Sequence, residues 1–428
     1  MATTNNASLA PVGQDARVFT GFSHASLWFS FGVGLLVMQV GAYLAPAMGT
    51  YDALIAIVLG SIVGSALLAV TAKLGCDSGL SSAGLMHRVY GSAFARFPVL
   101  LNIVQLIGWT TFELVVMRDG TAAIGERTVG TPLNILWPTL LWGGVLTLLM
   151  TGSMLKLVRQ FVSRIALPLV IGSLLWLSWH FIGVASTQGL TSFMARPGDG
   201  SMGMLSAIDL VMAMPVSWLP LVADYARHGR NGRSTWAGTW VGYAIANAWC
   251  YALGFLVTGV SEPGTDLVMA LLFAQGGLLA LGLILLDELD NAYGDVYSGA
   301  VSAHSLKSTW SIRRWGLVLA VLCTALALVL PIHSLEPFLL MLSSVFVPLY
   351  GVILGRWSNV MRMPDDAHTH KIDLITATLW LLGVAVFHAA ASWLPQYGSA
   401  LPSLLVTFSL AYLTRHATHG AAMRGAVQ

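Results

Sequence analysis

Apolar stretches of roughly 20 residues recur along the whole chain, parted by short polar connections. They fall near 25–45, 53–72, 97–117, 133–151, 164–184, 205–224, 236–259, 268–287, 315–331, 334–354, 373–393 and 397–414. A bilayer core about 30 Å thick needs about 20 helical residues to cross it, so each stretch is long enough for one crossing. The pattern predicts an all-α polytopic membrane protein with twelve transmembrane helices. The first stretch is glycine-rich, and 315–331 is short and separated from the next only by a turn at 331–333; eleven or thirteen spans follow if those two are divided differently.

Basic residues orient the pattern. Taking the connections alternately, one side receives Arg17; Lys73, Arg88 and Arg96; Lys156, Arg159 and Arg164; Arg227, Arg230 and Arg233; Lys307, Arg313 and Arg314; Arg356, Arg362 and Lys371; and Arg415 with Arg424. That is 18 of the 21 basic residues, and the other side keeps Arg118, Arg127 and Arg196. The rich side is expected to be cytoplasmic. Both termini then lie in the cytoplasm, as tails 1–24 and 415–428, and the protein sits in the inner membrane. The segment 78–95 reads as a short interfacial helix on the cytoplasmic surface.

Composition agrees. Only 9% of residues are charged and 56% are apolar, with a mean hydropathy of +0.75, whereas a soluble domain carries about 25% charged residues. The N-terminus, MATTNNASLAPVGQDARVF, has no basic stretch and leads to no small-residue cleavage site, so the first apolar segment is expected to stay as a helix. Cys76, Cys250 and Cys323 have no metal or redox spacing and read as small apolar residues.

Two spans carry break signals. Phe29-Ser30-Phe31-Gly32-Val33-Gly34 places two glycines in one turn of span one, which permits unwinding or close helix packing. Met214-Pro215-Val216-Ser217-Trp218-Leu219-Pro220 in span six has two prolines that remove backbone donors and at the least kink the helix. Breaks at corresponding places in two halves point to an inverted repeat with a binding site between them.

Polar groups at depth supply candidate chemistry. Glu113 in span three is a lone carboxylate among apolar residues, costly unless it faces a cavity or a partner. Trp109 lies one turn earlier on the same face, so a planar ring stacked on it would turn a hydrogen-bonding edge to Glu113. One tryptophan among 15 is ordinarily structural; an intramembrane glutamate is not. Span eight ends in Asp287-Glu288-Leu289-Asp290-Asn291-Ala292-Tyr293-Gly294-Asp295. If the helix continues to about 303, Asp287, Asn291 and Asp295 share one face; otherwise the acids sit in a wet loop. Close carboxylates on an internal surface can share a proton, which makes Asp287, Asp290 and Asp295 coupling candidates. Asp224 and Arg227 can meet at i,i+3 as a gate or latch where span six ends. His180, His333 and His388 read as interfacial side chains at span ends.

These strings resemble the nucleobase:cation symporter-1 family, through Gly108-Trp109, the span-six string with Asp224-Tyr225-Ala226-Arg227, and Tyr297-Ser298. The branch that looks nearest transports cytosine and hydroxymethylpyrimidine. The resemblance implies a leucine-transporter-type five-plus-five inverted repeat (25–184 and 205–354) followed by two extra helices (373–414). It implies that Trp109 stacks on the substrate and that Glu113 stands where relatives carry a ring-binding glutamine. Asn291 or Asp295 would match the substrate-binding amide of span eight, and Phe31, Gly32, Pro215 and Trp218 would line the site from the broken spans. One departure matters. Sodium-coupled relatives carry span-eight hydroxyls where this chain has Leu285-Leu286-Asp287-Glu288-Leu289, which favours a proton over sodium as the coupling cation.

The expected function is secondary import of a nucleobase or aminopyrimidine. The competing reading is a membrane sensor of the same fold that binds without transport. No nucleotide-binding motif, nucleophile–base pair or metal-ligand set is legible, so neither an enzyme nor a cofactor is expected. The partners implied are the small-molecule substrate and the lipid bilayer, with no nucleic acid and no obligate protein. The charge asymmetry predicts that Thr265→Cys is labelled by an impermeant thiol reagent added outside intact cells, while Arg230→Cys is labelled only after permeabilisation. The reverse pattern would overturn the topology.

Overall fold

The computed structural model describes residues 8–131, 133–154, 165, 167–330, 335–362 and 371–415. Lys156, Arg159, Arg164, Arg424 and His333 with its turn lie outside the described residues. In chain order the first apolar stretch forms two helices, α1 (Gly21–Phe31) and α2 (Leu35–Ala47). They are followed by α3 (Thr50–Ser78), the short α4 (Ser82–Tyr90), α5 (Arg96–Val129), α6 (Leu136–Leu149) and α7 (Leu167–Met194). A second divided stretch gives α8 (Met204–Ser217) and α9 (Leu219–Ala226), then come α10 (Gly232–Val260), α11 (Leu267–Phe273) and α12 (Gly277–Leu306). The chain closes with α13 (Ile312–Val329), α14 (Leu335–Gly355), α15 (Trp357–Arg362), α16 (Leu374–Trp393) and α17 (Ala400–Leu413). Among the described residues seven helices are long and apolar enough to cross a membrane, and nine if each divided stretch counts as one span.

The two expected breaks are present. The axis bends by 58° between α1 and α2, across Gly32, Val33 and Gly34, and by 41° between α8 and α9 at Trp218. Pro220, in the first turn of α9, has no N–H to continue the α8 hydrogen-bond ladder, so the helix must restart there.

Two expectations are corrected. The stretch 268–287 is not one span: α11 ends at Phe273, Gly276 adopts a left-handed φ of 69°, and α12 runs on to Leu306. Hydropathy put the boundary where the carboxylates begin. Asp287, Glu288, Asp290 and Asp295 are nonetheless buried against other helices, so their polarity does not end the helix. Nor does the helix in the 78–95 segment present the exposed apolar face of an interfacial helix. Within it α4 buries Ser82, Ala83, Leu85 and Met86 among its neighbours, and the Asp224 carboxylate accepts a hydrogen bond from the Ser82 N–H at 3.1 Å, at the helix N-terminus.

Each broken pair is held by one unbroken helix. On α10, Gly238 and Gly242 face the backbone of α1 around Gly21 and Ala25, and Gly254 lies against the Met38 backbone of α2. On α3, Gly60, Gly64 and Gly75 face Val211, Pro215 and Ala223 of α8 and α9. Small residues let backbones approach where lipid offers no hydrophobic drive to associate. Gly254→Leu is therefore expected to destabilise by about 1–3 kcal/mol through overpacking. Its apparent melting temperature in detergent should fall by several degrees. Gly144→Leu, at a position with nothing close to an added Cβ, should melt like the parent.

Candidate functional site

The breaks in the two divided helices meet α5 and α12 around a narrow cavity with about 20 Å³ of free volume. Six of the residues expected at a site line it: Phe31, Trp109, Glu113, Trp218, Asn291 and Asp295. Gly32 and Pro215 do not. Gly32 packs toward Ala246 of α10, and the Pro215 ring is turned to Gly64 of α3, so these two shape the breaks from behind.

Trp109 and Glu113 sit one turn apart on α5, both buried. The Trp109 ring meets the Phe338 ring edge-on at 5.1 Å, which holds its plane, while its indole N–H has no hydrogen-bond partner among the described residues. Glu113 Oε2 is equally buried and has no partner among the described residues. Phe31, the last residue of α1, also lines the cavity and stacks on Trp218 at the second break, with centroids 5.0 Å apart and planes 13° from parallel. That stack joins the two breaks directly.

Helix α12 supplies the polar wall with two residues of the expected face, and Glu288 stands in the place expected of Asp287. Asn291 and Asp295 reach the cavity with Glu288, at an i, i+3, i+7 spacing. Asp287 instead turns to α1, where its Oδ1 accepts a hydrogen bond from the Ser30 hydroxyl at 2.9 Å; Asp290 is buried near the same hydroxyl. Glu288 is the residue that sequence reasoning passed over, although the i, i+3, i+7 repeat was legible. Its Oε1 accepts from the Leu35 N–H at 2.5 Å, at the first turn of α2. Asn291 Nδ2 donates to the Val33 carbonyl at 3.2 Å, with Glu288 Oε2 at 3.5 Å. Gly34 lies against this carboxylate: a Cβ there would come within 2.8 Å of Glu288 Oε1 and push the side chain aside. Three carboxylates, Glu113, Glu288 and Asp295, thus border one cavity whose lining includes no lysine, arginine or histidine among the described residues.

On the side where the N-terminal segment lies the cavity is closed in layers. Phe31 meets Tyr225 edge-on at 5.6 Å, Tyr225 packs on Tyr297, and the Tyr225 hydroxyl donates to the Gly294 carbonyl at 3.1 Å. Asp224 and Arg227 stand near enough to attract each other, and each also holds a third group: Asp224 holds α4 as described, and Arg227 lies beside Tyr297. The segment before α1 crosses this end. Arg17 Nη1 donates to the Cys76 carbonyl at 2.9 Å, the Phe19 N–H donates to the His228 carbonyl at 2.9 Å, and the Ser8 hydroxyl and His304 Nδ1 are 2.7 Å apart. Burial and the neighbouring Arg227 push the His228 imidazole down to about 4, so it is neutral near pH 7 while its Nδ1 lies 3.1 Å from the Ala16 carbonyl.

Comparison with known proteins adds a family and a fold. Residues 11–367 match the family described as permease for cytosine/purines, uracil, thiamine, allantoin. The cytosine permeases of Escherichia coli O157:H7 and strain K12 are each 25% identical over 415 residues, spanning 92% of this chain and 91% of theirs. Among solved structures, Mhp1, a nucleobase-cation-symport-1 family transporter, closed with bromovinylhydantoin bound, superposes with a TM-score of 0.76 at 16% identity over 96% of both chains. MhsT in complex with L-phenylalanine gives 0.60 at 15% identity, over 91% of this chain and 98% of that one.

The wall formed by Trp109 predicts a ring-stacking test. Trp109→Ala is expected to weaken binding of a planar heterocycle by roughly tenfold or more, the scale of one base–aromatic stack. Trp109→Phe should retain more of the affinity, since it keeps a π-face. Calorimetric titration of the purified protein checks this, and equal affinity for parent and alanine variant would remove Trp109 from the contact surface.

Proposed function

The chain belongs to the family of permeases for cytosine/purines, uracil, thiamine and allantoin, and from that membership we propose that it imports an aminopyrimidine such as cytosine by symport with a proton. The observation that carries the substrate is the cavity wall: a tryptophan face beside three carboxylates with no basic side chain among the described lining residues. Buried carboxylates crowded in an apolar interior cannot all stay ionised without counter-charge. An aminopyrimidine supplies it in the right shape. Its ring stacks on Trp109, and its exocyclic amino group and protonated ring nitrogen meet Glu113 in a bidentate, charge-assisted pair. Phe31 and Trp218 close the opposite face, and Asn291 and Asp295 take the remaining polar edge.

Further features support the same reading. Adding α6, α12 and α17 to the nine crossings gives twelve spans, with α12 crossing despite its carboxylates because they face inward. Segments 25–184 and 205–354 then form the inverted repeat, each opening with a broken helix, and 373–414 adds two spans outside it. With 18 of 21 basic residues on one side, both tails lie in the cytoplasm and the protein resides in the inner membrane. Proton coupling follows from the ligand types at the first break, where α12 offers Asp287, Glu288 and Asp290 in place of neutral hydroxyls.

Transport assays in proteoliposomes test the proposal. Radiolabelled cytosine is expected to accumulate under an imposed inward proton gradient without sodium. Glu113→Gln keeps the shape and hydrogen-bonding reach but removes the charge. It should lower cytosine affinity by about tenfold, the scale of one charge-assisted contact, while the uptake that remains still follows the pH gradient. Binding without accumulation would mean a sensor. Uptake that requires sodium and ignores an imposed proton gradient would overturn proton coupling.

A further inference from the structure

We propose that Glu288 is the residue that carries the coupled proton, and that it does so by latching and releasing the broken first span. The inference rests on the transport reading above and goes beyond it by assigning the coupling to one carboxylate. Glu288 is the only residue among those described that both lines the cavity and accepts a hydrogen bond from the backbone of the first break. The Leu35 N–H it binds is one of the donors left open at the start of α2, where the helix dipole also favours negative charge. An ionised Glu288 therefore fastens α2 to α12 through a charge-assisted bond, roughly twice as strong as its neutral counterpart. A proton arriving on the carboxylate removes the charge, weakens the bond to Leu35 and frees α2 to pivot at Gly34. Loss of the same proton on the other side of the membrane restores the latch. Glu288 thus takes up one proton and gives it back in each cycle; the proton shared between Glu113 and the ring nitrogen stays with Glu113 when the neutral base leaves, so it adds nothing to the count.

The neighbouring groups explain why this carboxylate is suited to the task. Asp287 is engaged by the Ser30 hydroxyl and lies off the cavity. The titratable groups around Glu288 are Glu113 from α5, Cys250 from α10, and Asp287, Asp290 and Asp295 from its own helix; none of them can carry a positive charge. The counter-charge has to come from a proton or from a ligand in the cavity. Asn291 connects the two, since it touches the Val33 carbonyl, lies beside Glu288 Oε2 and borders the cavity. A ligand drawing on Asn291 alters the hold on the same break that Glu288 fastens. This gives proton and substrate one shared mechanical element whose equilibrium both can bias.

The test uses the full chain reconstituted in vesicles and compares the parent with E288Q, whose amide carbonyl can still accept from the Leu35 N–H but cannot titrate. In the parent, an inward pH gradient drives cytosine accumulation, and a trapped pH dye records proton entry with it. In E288Q, labelled cytosine still exchanges measurably for unlabelled cytosine, but the gradient produces no accumulation above equilibrium and cytosine causes no proton entry. The apparent Kd for cytosine, which should vary about tenfold or more between pH 5 and 8 in the parent, becomes flat. E288Q that accumulates cytosine under the pH gradient as the parent does would overturn the assignment and leave the transport reading standing. A parent that accumulates no base under any gradient would overturn the transport reading itself. If E288Q is not recovered folded, E288D provides the second arm: its shorter carboxylate still titrates but loses reach to Leu35. It should shift the midpoint of the pH profile for cytosine binding, and an unchanged profile would overturn the role of Glu288.

Discussion

A helix interrupted inside an apolar interior leaves backbone N–H and C=O groups that water cannot reach, and each costs free energy until something in the protein satisfies it. The rest of the arrangement depends on how this is met at the first break. Helix α12 reaches across with three side chains: Glu288 takes the Leu35 N–H, Asn291 gives to the Val33 carbonyl, and Asp287 receives the Ser30 hydroxyl. The break can exist because α12 is polar at that level. Conversely, α12 can keep four buried carboxylates in one helix because the broken span gives two of them donors to face.

From that exchange follows the electrostatic character of the cavity. Glu288 and Asn291 bring α12 close enough for Asp295 to join them, and Glu113 approaches from α5. The result is a small space, rich in negative groups and closed to bulk solvent on the side of the N-terminal segment. Such a space has little affinity for an anion and a strong preference for a ligand rich in N–H donors, or for a proton. Stacked rings supply its flat geometry: Trp109 held by Phe338, and Phe31 on Trp218. The shape and the charge of the cavity are therefore set by the same few helices.

Movement is built into the same parts. The breaks in the two divided helices touch through the Phe31–Trp218 stack, and each is cradled by an unbroken helix, α10 or α3, whose glycines leave no side chain in the way. Backbones packed this closely can pivot as units. The chain segment before α1, pinned to Cys76, His228 and His304, would have to yield before the cavity could open on that side. A transporter needs such a closure on each side in turn, and the one described here is assembled from hydrogen bonds and aromatic edges, which can part and re-form without unfolding a helix.

Much of this was determined by the sequence alone, and the reason is length. A bilayer crossing demands about 20 apolar residues with every backbone group paired internally, so hydropathy located the apolar helices, and Gly32, Gly34, Pro215 and Pro220 marked both breaks. The oddity of a lone Glu113 beside Trp109 was also visible. What only the tertiary structure decided is direction about each helix axis. Hydropathy measures the cost of leaving water; it cannot tell a polar residue facing solvent from one facing another helix. For that reason hydropathy drew the eighth span as 268–287 and left open whether the helix ran on through the carboxylates, as it does to Leu306, and α4 was read as a surface helix when it is buried. The same ambiguity favoured Asp287 over Glu288. Pro215 and Gly32 were assigned to the cavity because they make the breaks, yet a residue that bends a helix is often packed behind the bend. Which side chain faces the cavity depends on the neighbours that fill the other sides, and those neighbours, Ala246 for Gly32, Gly64 for Pro215 and Ser30 for Asp287, are brought there only by the folded arrangement of distant helices.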